Sequence, residues 1–65
     1  MVRGFYQQIL EVVKQAGCTF KRQGKGDHEI WYSPITDRTF SIDRYCMSRH
    51  TANAIMKQAG IDKKF

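Results

Sequence analysis

The chain has 65 residues, 42% of them hydrophobic, and eleven Lys and Arg against six Asp and Glu give it a formal net charge of +5 at pH 7. It is long enough for one domain (1–65) with a small core, since about 60 residues bury only about 60% of the surface that they expose when unfolded. No apolar stretch is long enough to cross a bilayer and polar residues interrupt the first apolar ones, so we expect no signal peptide, no membrane contact and a cytoplasmic location. The positive charge suits a polyanionic partner such as nucleic acid, although many solvated surfaces share it.

The first predicted element is a helix over residues 2–16. Its apolar side chains recur at steps of three and four, which places them on one face of an amphipathic helix. They are Phe5, Ile9, Val13 and Ala16. Gly17 follows at the position where a left-handed residue would end the helix.

Three strands are predicted next, because the spacing of apolar residues changes to the two-residue alternation of a sheet. They cover 18–23 (CTFKRQ), 28–33 (HEIWYS) and 39–43 (TFSID). The connections 24–27 (GKGD) and 33–38 (SPITDR) are rich in turn-forming residues and are short, which favours an antiparallel meander.

A second helix is predicted from Ser48, a good N-cap, to Gly60, a good stop. Its buried face comprises Ala52, Ile55, Met56 and Ala59. The order α-β-β-β-α gives an α+β fold, in which a three-stranded antiparallel sheet carries two helices on one face and leaves the other face open. This is the architecture of double-stranded-RNA-binding domains, and architecture alone does not establish function.

The register of the second strand stays open, because both of its faces carry apolar residues. If Trp31 is buried in the core, then Glu29 lies at the inner margin of the strand. His28, Ile30 and Tyr32 then face outward. The opposite register buries Ile30 and Tyr32 and brings His28 to the edge of the core. Outward-facing Ile30 and Tyr32 would be natural contacts for a protein partner.

The two cysteines, Cys18 and Cys46, are predicted to be free and buried or half-buried, because a chain without a secretory signal rarely forms a disulfide. With His28 and His50 they complete a Cys2His2 set, but the spacing 18, 28, 46, 50 does not match that of zinc modules. We therefore expect neither a metal site nor a cofactor. His50, at the start of the last helix, is interpreted as a solvent-facing residue.

His28 is the candidate catalytic residue. An imidazole can take a proton from a ribose 2′-hydroxyl or give one to a leaving 5′-oxygen. Lys21, Arg22 and Lys25 precede it and can stabilise charge on a phosphate, while the glycine turn lets a phosphate approach backbone N–H groups. A surface histidine without a role at the end of a hairpin is the competing interpretation.

Two stretches, GCTFKRQGKGDHEIWYSP (17–34) and TANAIMKQAGI (51–61), resemble the HicA-type mRNA interferases, the toxin halves of bacterial toxin–antitoxin pairs. The similarity runs from Phe5 to Ile61, and its motif residues are Gly17, Gly26-Asp27-His28, Trp31 and 51–61. It implies a double-stranded-RNA-binding-like fold, ribosome-independent cleavage of mRNA, an essential histidine at His28 and a HicB-type antitoxin that covers this histidine.

The chain departs from the family pattern at two places. Asp27 replaces the common serine and could orient His28 or repel phosphate. Asp43-Arg44-Tyr45 stands where relatives often have Pro-x-His, so ion pairing by Arg44 and stacking by Tyr45 would have to replace that histidine. The partner for the second proton transfer is unassigned, and we expect slow turnover for that reason. The expected RNA-binding residues are Lys21, Arg22, Gly24, Lys25, Gly26, Arg44 and Tyr45.

Three functions are therefore compared. The first is a metal-independent endoribonuclease toxin that binds and cleaves mRNA in a single RNA-binding and nuclease domain. The second is a non-catalytic double-stranded-RNA-binding module. The third is a small adaptor whose open sheet face docks a protein.

Overall fold

A computed structural model describes residues 4–65 of the chain. Val2 and Arg3, part of the first predicted helix, lie outside these residues. The elements are α1 (Tyr6–Gln15), β1 (Thr19–Gln23), β2 (His28–Ser33), β3 (Arg38–Asp43) and α2 (Arg49–Ala59). The predicted α+β order is confirmed, and the strand and second-helix bounds agree with the prediction to within one residue.

The first helix begins later than predicted, because the chain bends sharply before it. Gly4 has a φ of +75°, a left-handed conformation that glycine adopts without strain. A Cβ on Gly4 would clash with the carbonyl oxygen of Cys46, so the glycine also permits a close backbone approach. The N–H of Phe5 donates to that carbonyl at 2.7 Å, which ties the start of α1 to the segment after β3.

The sheet is an antiparallel meander in the order β1-β2-β3. Trp31 in β2 lies opposite Phe20 in β1 and Phe40 in β3, and His28 lies opposite Asp43. A β-bulge between Phe20 and Arg22 interrupts the β1–β2 register. An edge strand with a bulge is less able to pair with another chain.

The structure decides the register of β2 in favour of an inward Trp31. Glu29, Trp31 and Ser33 are buried, whereas His28 is exposed and Ile30 and Tyr32 are half-buried. The helices cover the face that carries Trp31. The opposite side is called the open face below, and its cross-strand neighbours are Thr19, Arg22, His28, Ile30, Tyr32, Thr39, Ser41 and Asp43.

The core lies between the helices and the covered face of the sheet. Its fully or nearly fully buried residues are Ile9, Val13, Cys18, Trp31, Phe40, Ile42, Cys46, Ala52, Ile55, Met56 and Ala59. Both cysteines are free and buried, as predicted. Ser48 caps α2 by accepting from the N–H groups of His50 and Thr51, and Gly60 ends α2 in the left-handed conformation. No helix within residues 4–65 is long and apolar enough to span a membrane.

A polar network crosses the core beside Trp31. The carboxylate of Glu29, 9% exposed, accepts from the Tyr6 hydroxyl at 2.7 Å and from Trp31 Nε1 at 3.0 Å. These bonds join α1 to β2. Burial raises the pKa of the Tyr6 hydroxyl to about 12, and the hydrogen bond to Glu29 and its charge act in the same direction. On the other side, the Ser33 hydroxyl donates to the carbonyl of Ala59 at 2.6 Å and joins β2 to α2.

Candidate functional site

His28 begins β2 on the open face, with its side chain exposed to solvent. Its Nδ1 lies 3.1 Å from the Ser41 hydroxyl oxygen on the neighbouring strand. The hydroxyl can donate to or accept from this nitrogen, so the contact suits either protonation state of the imidazole. A hydrogen bond at Nδ1 holds the ring and leaves Nε2 as the nitrogen that can exchange a proton with a ligand.

A cleft of about 180 Å³ opens where α2 passes beside β3. Its lining residues are His28, Ser41, Asp43, Thr51, Ala54, Ile55 and Gln58. The strands supply an imidazole, a hydroxyl and a carboxylate, and α2 supplies a second hydroxyl and an amide. The cleft therefore offers proton-transfer groups on one wall and neutral hydrogen-bonding groups on the other.

The 24–27 turn is closed by backbone bonds to His28. The N–H of Gly24 donates to the His28 carbonyl at 2.9 Å, and the His28 N–H donates to the Lys25 carbonyl at 3.3 Å. Gln23 Nε2 donates to the carbonyls of Gly26 and His28, both at 3.2 Å. Lys25 is exposed at this turn, next to the backbone of the histidine.

The two glycines of this turn have different roles. Gly26 has a φ of +63°, and a Cβ at this position would meet no other atom, so the glycine is needed for its left-handed backbone conformation and not for lack of space. Gly24 lies outside the positive-φ region, and a Cβ there would meet the His28 carbonyl oxygen at 3.0 Å. Gly24 thus permits close packing of the turn against β2.

Asp27 interacts with Arg44 and does not orient the histidine. The Arg44 guanidinium lies 3.9 Å from the Asp27 carboxylate, and the Arg44 N–H donates to the Asp27 carbonyl at 2.9 Å. The ion pair is exposed and weak, so a phosphate can compete with it. Tyr45, 67% exposed, is held by a 2.9 Å bond from its N–H to Asp43 Oδ1. Arg44 and Tyr45 therefore lie near the turn that precedes His28.

The other two predicted cations lie farther along the open face. Arg22 pairs with Ile30, the next outward residue of β2 after His28. Lys21 Nζ lies 5.5 Å from the centre of the Tyr32 ring, so the bulged residue also reaches this face. Lys25 thus belongs to the turn bonded to the His28 backbone, and Arg44 pairs with Asp27, the residue before His28. Arg22 lies opposite Ile30, whereas Lys21 contacts Tyr32 at the far end of β2.

Sequence reasoning missed four polar residues of the cleft: Ser41, Asp43, Thr51 and Gln58. The antiparallel meander could have indicated the first two, because residues two apart on β3 share a face with His28 on β2. No local pattern in the sequence indicated that α2 lies beside this face. His50 is exposed, as predicted, and within residues 4–65 no group of three or more His, Cys, Asp or Glu side chains could hold a metal ion.

Comparison with protein families gives one match. The model of a family described as the HicA toxin of bacterial toxin–antitoxin pairs matches residues 6–61. The matched range begins at the first residue of α1, includes the whole sheet and ends two residues beyond α2. Comparisons with curated proteins and with solved structures found no match.

Proposed function

The chain belongs to the HicA toxin family, and from this premise we propose that it is a cytoplasmic endoribonuclease that cleaves mRNA with His28. As a toxin of a toxin–antitoxin pair it has a cognate antitoxin, which we propose to be of the HicB type and to silence the enzyme by covering His28. The observation that carries the proposal is an exposed imidazole that is held at Nδ1 by Ser41, lines a cleft and directly follows the turn that carries Lys25.

The proposed reaction is an internal transfer at one phosphodiester. His28 removes the proton of the ribose 2′-hydroxyl, and the 2′-oxygen then attacks the adjacent phosphorus. The bond from phosphorus to the 5′-oxygen breaks, and the leaving oxygen takes up a proton. The products are a 2′,3′-cyclic phosphate and a 5′-hydroxyl. No metal ion or cofactor takes part in these steps.

The cations near His28 support this reaction electrostatically. Lys25, in the turn before His28, and Arg44, which pairs with Asp27, would neutralise the charge that grows on the phosphoryl oxygens. Arg22 on the open face and the backbone N–H of Gly26 would hold the neighbouring phosphates, whereas the N–H of Gly24 already donates to the His28 carbonyl. Tyr45 offers an exposed ring on which a base can stack. Lys21, at the Tyr32 end of the face, extends this surface.

One other side chain of the cleft could take part in the second proton transfer, which protonates the leaving 5′-oxygen. Asp43 lines the cleft directly opposite His28 in the strand register. Its Oδ1 already accepts from the Tyr45 N–H, so it is less free to act than a second imidazole would be. We therefore expect slower turnover than that of a ribonuclease with two catalytic histidines.

Growth arrest and mRNA integrity test the proposal. Wild type and His28→Ala are expressed from an inducible promoter without antitoxin, and each is also co-expressed with antitoxin to show that it is folded and binds its partner. We expect arrest and cleaved mRNA for the wild type, and neither for His28→Ala. Arrest that persists in His28→Ala would place the chemistry elsewhere. A folded wild type that causes no arrest and leaves mRNA intact would favour a non-catalytic RNA-binding module.

A further inference from the structure

A second and larger concavity lies on the neighbouring face of α2. It has a volume of about 620 Å³ and is formed between α2 and the segment 61–65 that follows the helix. We call it the lysine groove, and its lining residues are His50, Asn53, Ala54, Lys57, Ile61, Asp62, Lys63 and Lys64. Three lysines and one aspartate give this lining an excess of positive charge.

The segment 61–65 is tied to the helices, so its lysines have a defined position. The N–H of Ile61 donates to the Met56 carbonyl at 2.9 Å, and the N–H of Phe65 donates to Asn53 Oδ1 at 2.7 Å. The ring of Phe65 packs against that of Phe5, with 5.7 Å between the ring centres. Because both ends of the segment are bonded to α2, the segment forms one wall of the groove.

Both walls of the groove carry lysine side chains. Lys57 stands on the helix wall, and Lys63 and Lys64 stand on the segment wall. Lys63 Nζ lies 5.5 Å from the centre of the Phe65 ring, which keeps this ammonium near the anchored end of the segment. Lysine binds phosphate as a point charge and imposes no base preference.

The lysine groove adjoins the cleft at His28. Ala54, an exposed residue of α2, lines both of them, so the two concavities meet at this small side chain. A helix with its side chains is only about 10–12 Å across, and an alanine leaves a low ridge at the crossing. A flexible polyanion that occupies the cleft can therefore pass over Ala54 into the groove.

We propose that the lysine groove binds the phosphodiester backbone of the same RNA strand that is cut at His28, on one side of the scissile bond. This proposal rests on the proposed nuclease function and adds to it a second contact region. The excess of positive charge in the groove and the shared residue Ala54 favour an RNA strand that also occupies the cleft at His28. The contacts are to phosphates, so they raise affinity for RNA without selecting its sequence.

Binding of single-stranded RNA is the test, measured by fluorescence anisotropy on His28→Ala protein so that the RNA stays intact. The variant Lys63→Ala/Lys64→Ala is compared with Lys14→Ala/Arg38→Ala, which removes the same charge outside the groove and the cleft. At low salt we expect the groove variant to bind about ten-fold more weakly. The slope of log K against log salt should become shallower by about 0.7 for each phosphate that the variant no longer neutralises. The control should change affinity less than three-fold.

Three outcomes would overturn the inference. Equal reductions of affinity in the two double variants would show that only net charge matters. Unchanged RNA affinity with weakened antitoxin binding would make the groove an antitoxin surface. If the groove variant unfolds, Lys57→Ala on the helix wall replaces it, and an unchanged salt slope for Lys57→Ala would contradict the proposal. Cleavage by the wild type is measured in parallel, so that a failure of the nuclease function is recognised separately from a failure of the groove.

Discussion

His28 and Ser41 face each other across two strands, with 3.1 Å between the imidazole Nδ1 and the hydroxyl oxygen. The pair exists because β2 and β3 are antiparallel and both residues lie on the open face. In the proposed reaction Ser41 makes no contact with RNA and acts as a positioning residue, because its bond to Nδ1 holds the ring and leaves Nε2 as the nitrogen that can exchange a proton. A small hydroxyl suits this task because it can serve as donor or acceptor while the imidazole gains and loses its proton.

Ser41→Ala should lower the rate of RNA cleavage about five- to ten-fold, as expected for the loss of one hydrogen bond of about 1 to 1.5 kcal/mol. RNA affinity should stay the same, because Ser41 acts through His28. Single-turnover cleavage and anisotropy separate the two quantities. Thr39→Ala, on the same strand and face, is the control and should leave both unchanged. Ser41→Thr keeps a hydroxyl and should recover part of the rate; equal rates for Ala and Thr would refute the positioning role.

Tyr6→Phe should destabilise the fold by about 1 to 3 kcal/mol, because the nearly buried carboxylate of Glu29 loses one of its two donors. Urea unfolding followed by the fluorescence of Trp31 measures this free energy. Tyr45→Phe removes the same hydroxyl from an exposed side chain and should change stability by less than about 0.5 kcal/mol. Equal effects of the two substitutions would show that the bond to Glu29 does not stabilise the protein.

The same tyrosine predicts a loss of stability at alkaline pH. The pKa of Tyr6 is raised from its ordinary value of 10.0 to about 12, because burial and the Glu29 carboxylate disfavour the phenolate. The folded state therefore binds the proton more tightly than the unfolded state. The stabilisation that comes from this tighter proton binding is fully present below pH 10 and is lost as the pH rises toward 12. Wild type should lose more stability than Tyr6→Phe over this range; parallel pH curves would contradict the prediction.

Met56→Ala should cost about 2 to 5 kcal/mol, since Met56 is 1% exposed and its truncation leaves a cavity between α2 and the sheet. Met47→Ala makes the same chemical change at a side chain that is 60% exposed and should cost far less. Denaturant midpoints of the two variants test this difference. A destabilisation at Met56 no larger than that at Met47 would contradict the expectation that burial of Met56 stabilises the fold.

The two thiols should react slowly while the protein is folded. Burial raises the pKa of both the Cys18 and the Cys46 thiol, which lowers the fraction of reactive thiolate. Alkylation at pH 8, followed by mass spectrometry, should proceed much faster in urea than in buffer. Rapid alkylation of Cys18 in the native protein would show that the end of α1 opens readily.

Lys25→Ala should weaken RNA binding and leave the free energy of unfolding unchanged, because this lysine is exposed and the turn is closed by backbone bonds. Anisotropy titrations at two salt concentrations should show a reduced salt dependence. Lys14→Ala on α1 removes the same charge away from His28 and is the control. An unfolded Lys25→Ala protein would make the turn structural.

Local patterns in the chain determined its architecture. The steps of three and four in both helices, the alternation in β2 and β3 and the Ser48 and Gly60 caps each depend on residues a few positions apart, and the structure contains them. The alternation predicted for the first strand is not seen, because every residue of β1 is exposed. The order α-β-β-β-α follows from these local patterns, and so does the position of His28 at the start of β2. These features are readable because propensity, periodicity and capping are short-range effects.

Only the tertiary structure decided which face of β2 is covered. Both faces carry apolar residues, so burying Trp31 with Glu29 or burying Ile30 with Tyr32 was equally consistent with the alternation. The helices cover the Trp31 side, where Tyr6 satisfies the Glu29 carboxylate from a distant part of the chain. The choice rests on a contact between groups 23 residues apart, and no local pattern contains it.

The surroundings of His28 depend on tertiary structure in the same way. The contact with Ser41 needs the register of β2 and β3, and the pairing of Asp27 with Arg44 needs the turn after β3. The lysine groove needs the segment 61–65 to fold back onto α2. The residue types in the chain therefore determined that an imidazole and several cations are present. Long-range pairing and packing decided which of them meet, because side chains far apart in sequence become neighbours only when the sheet and helices assemble.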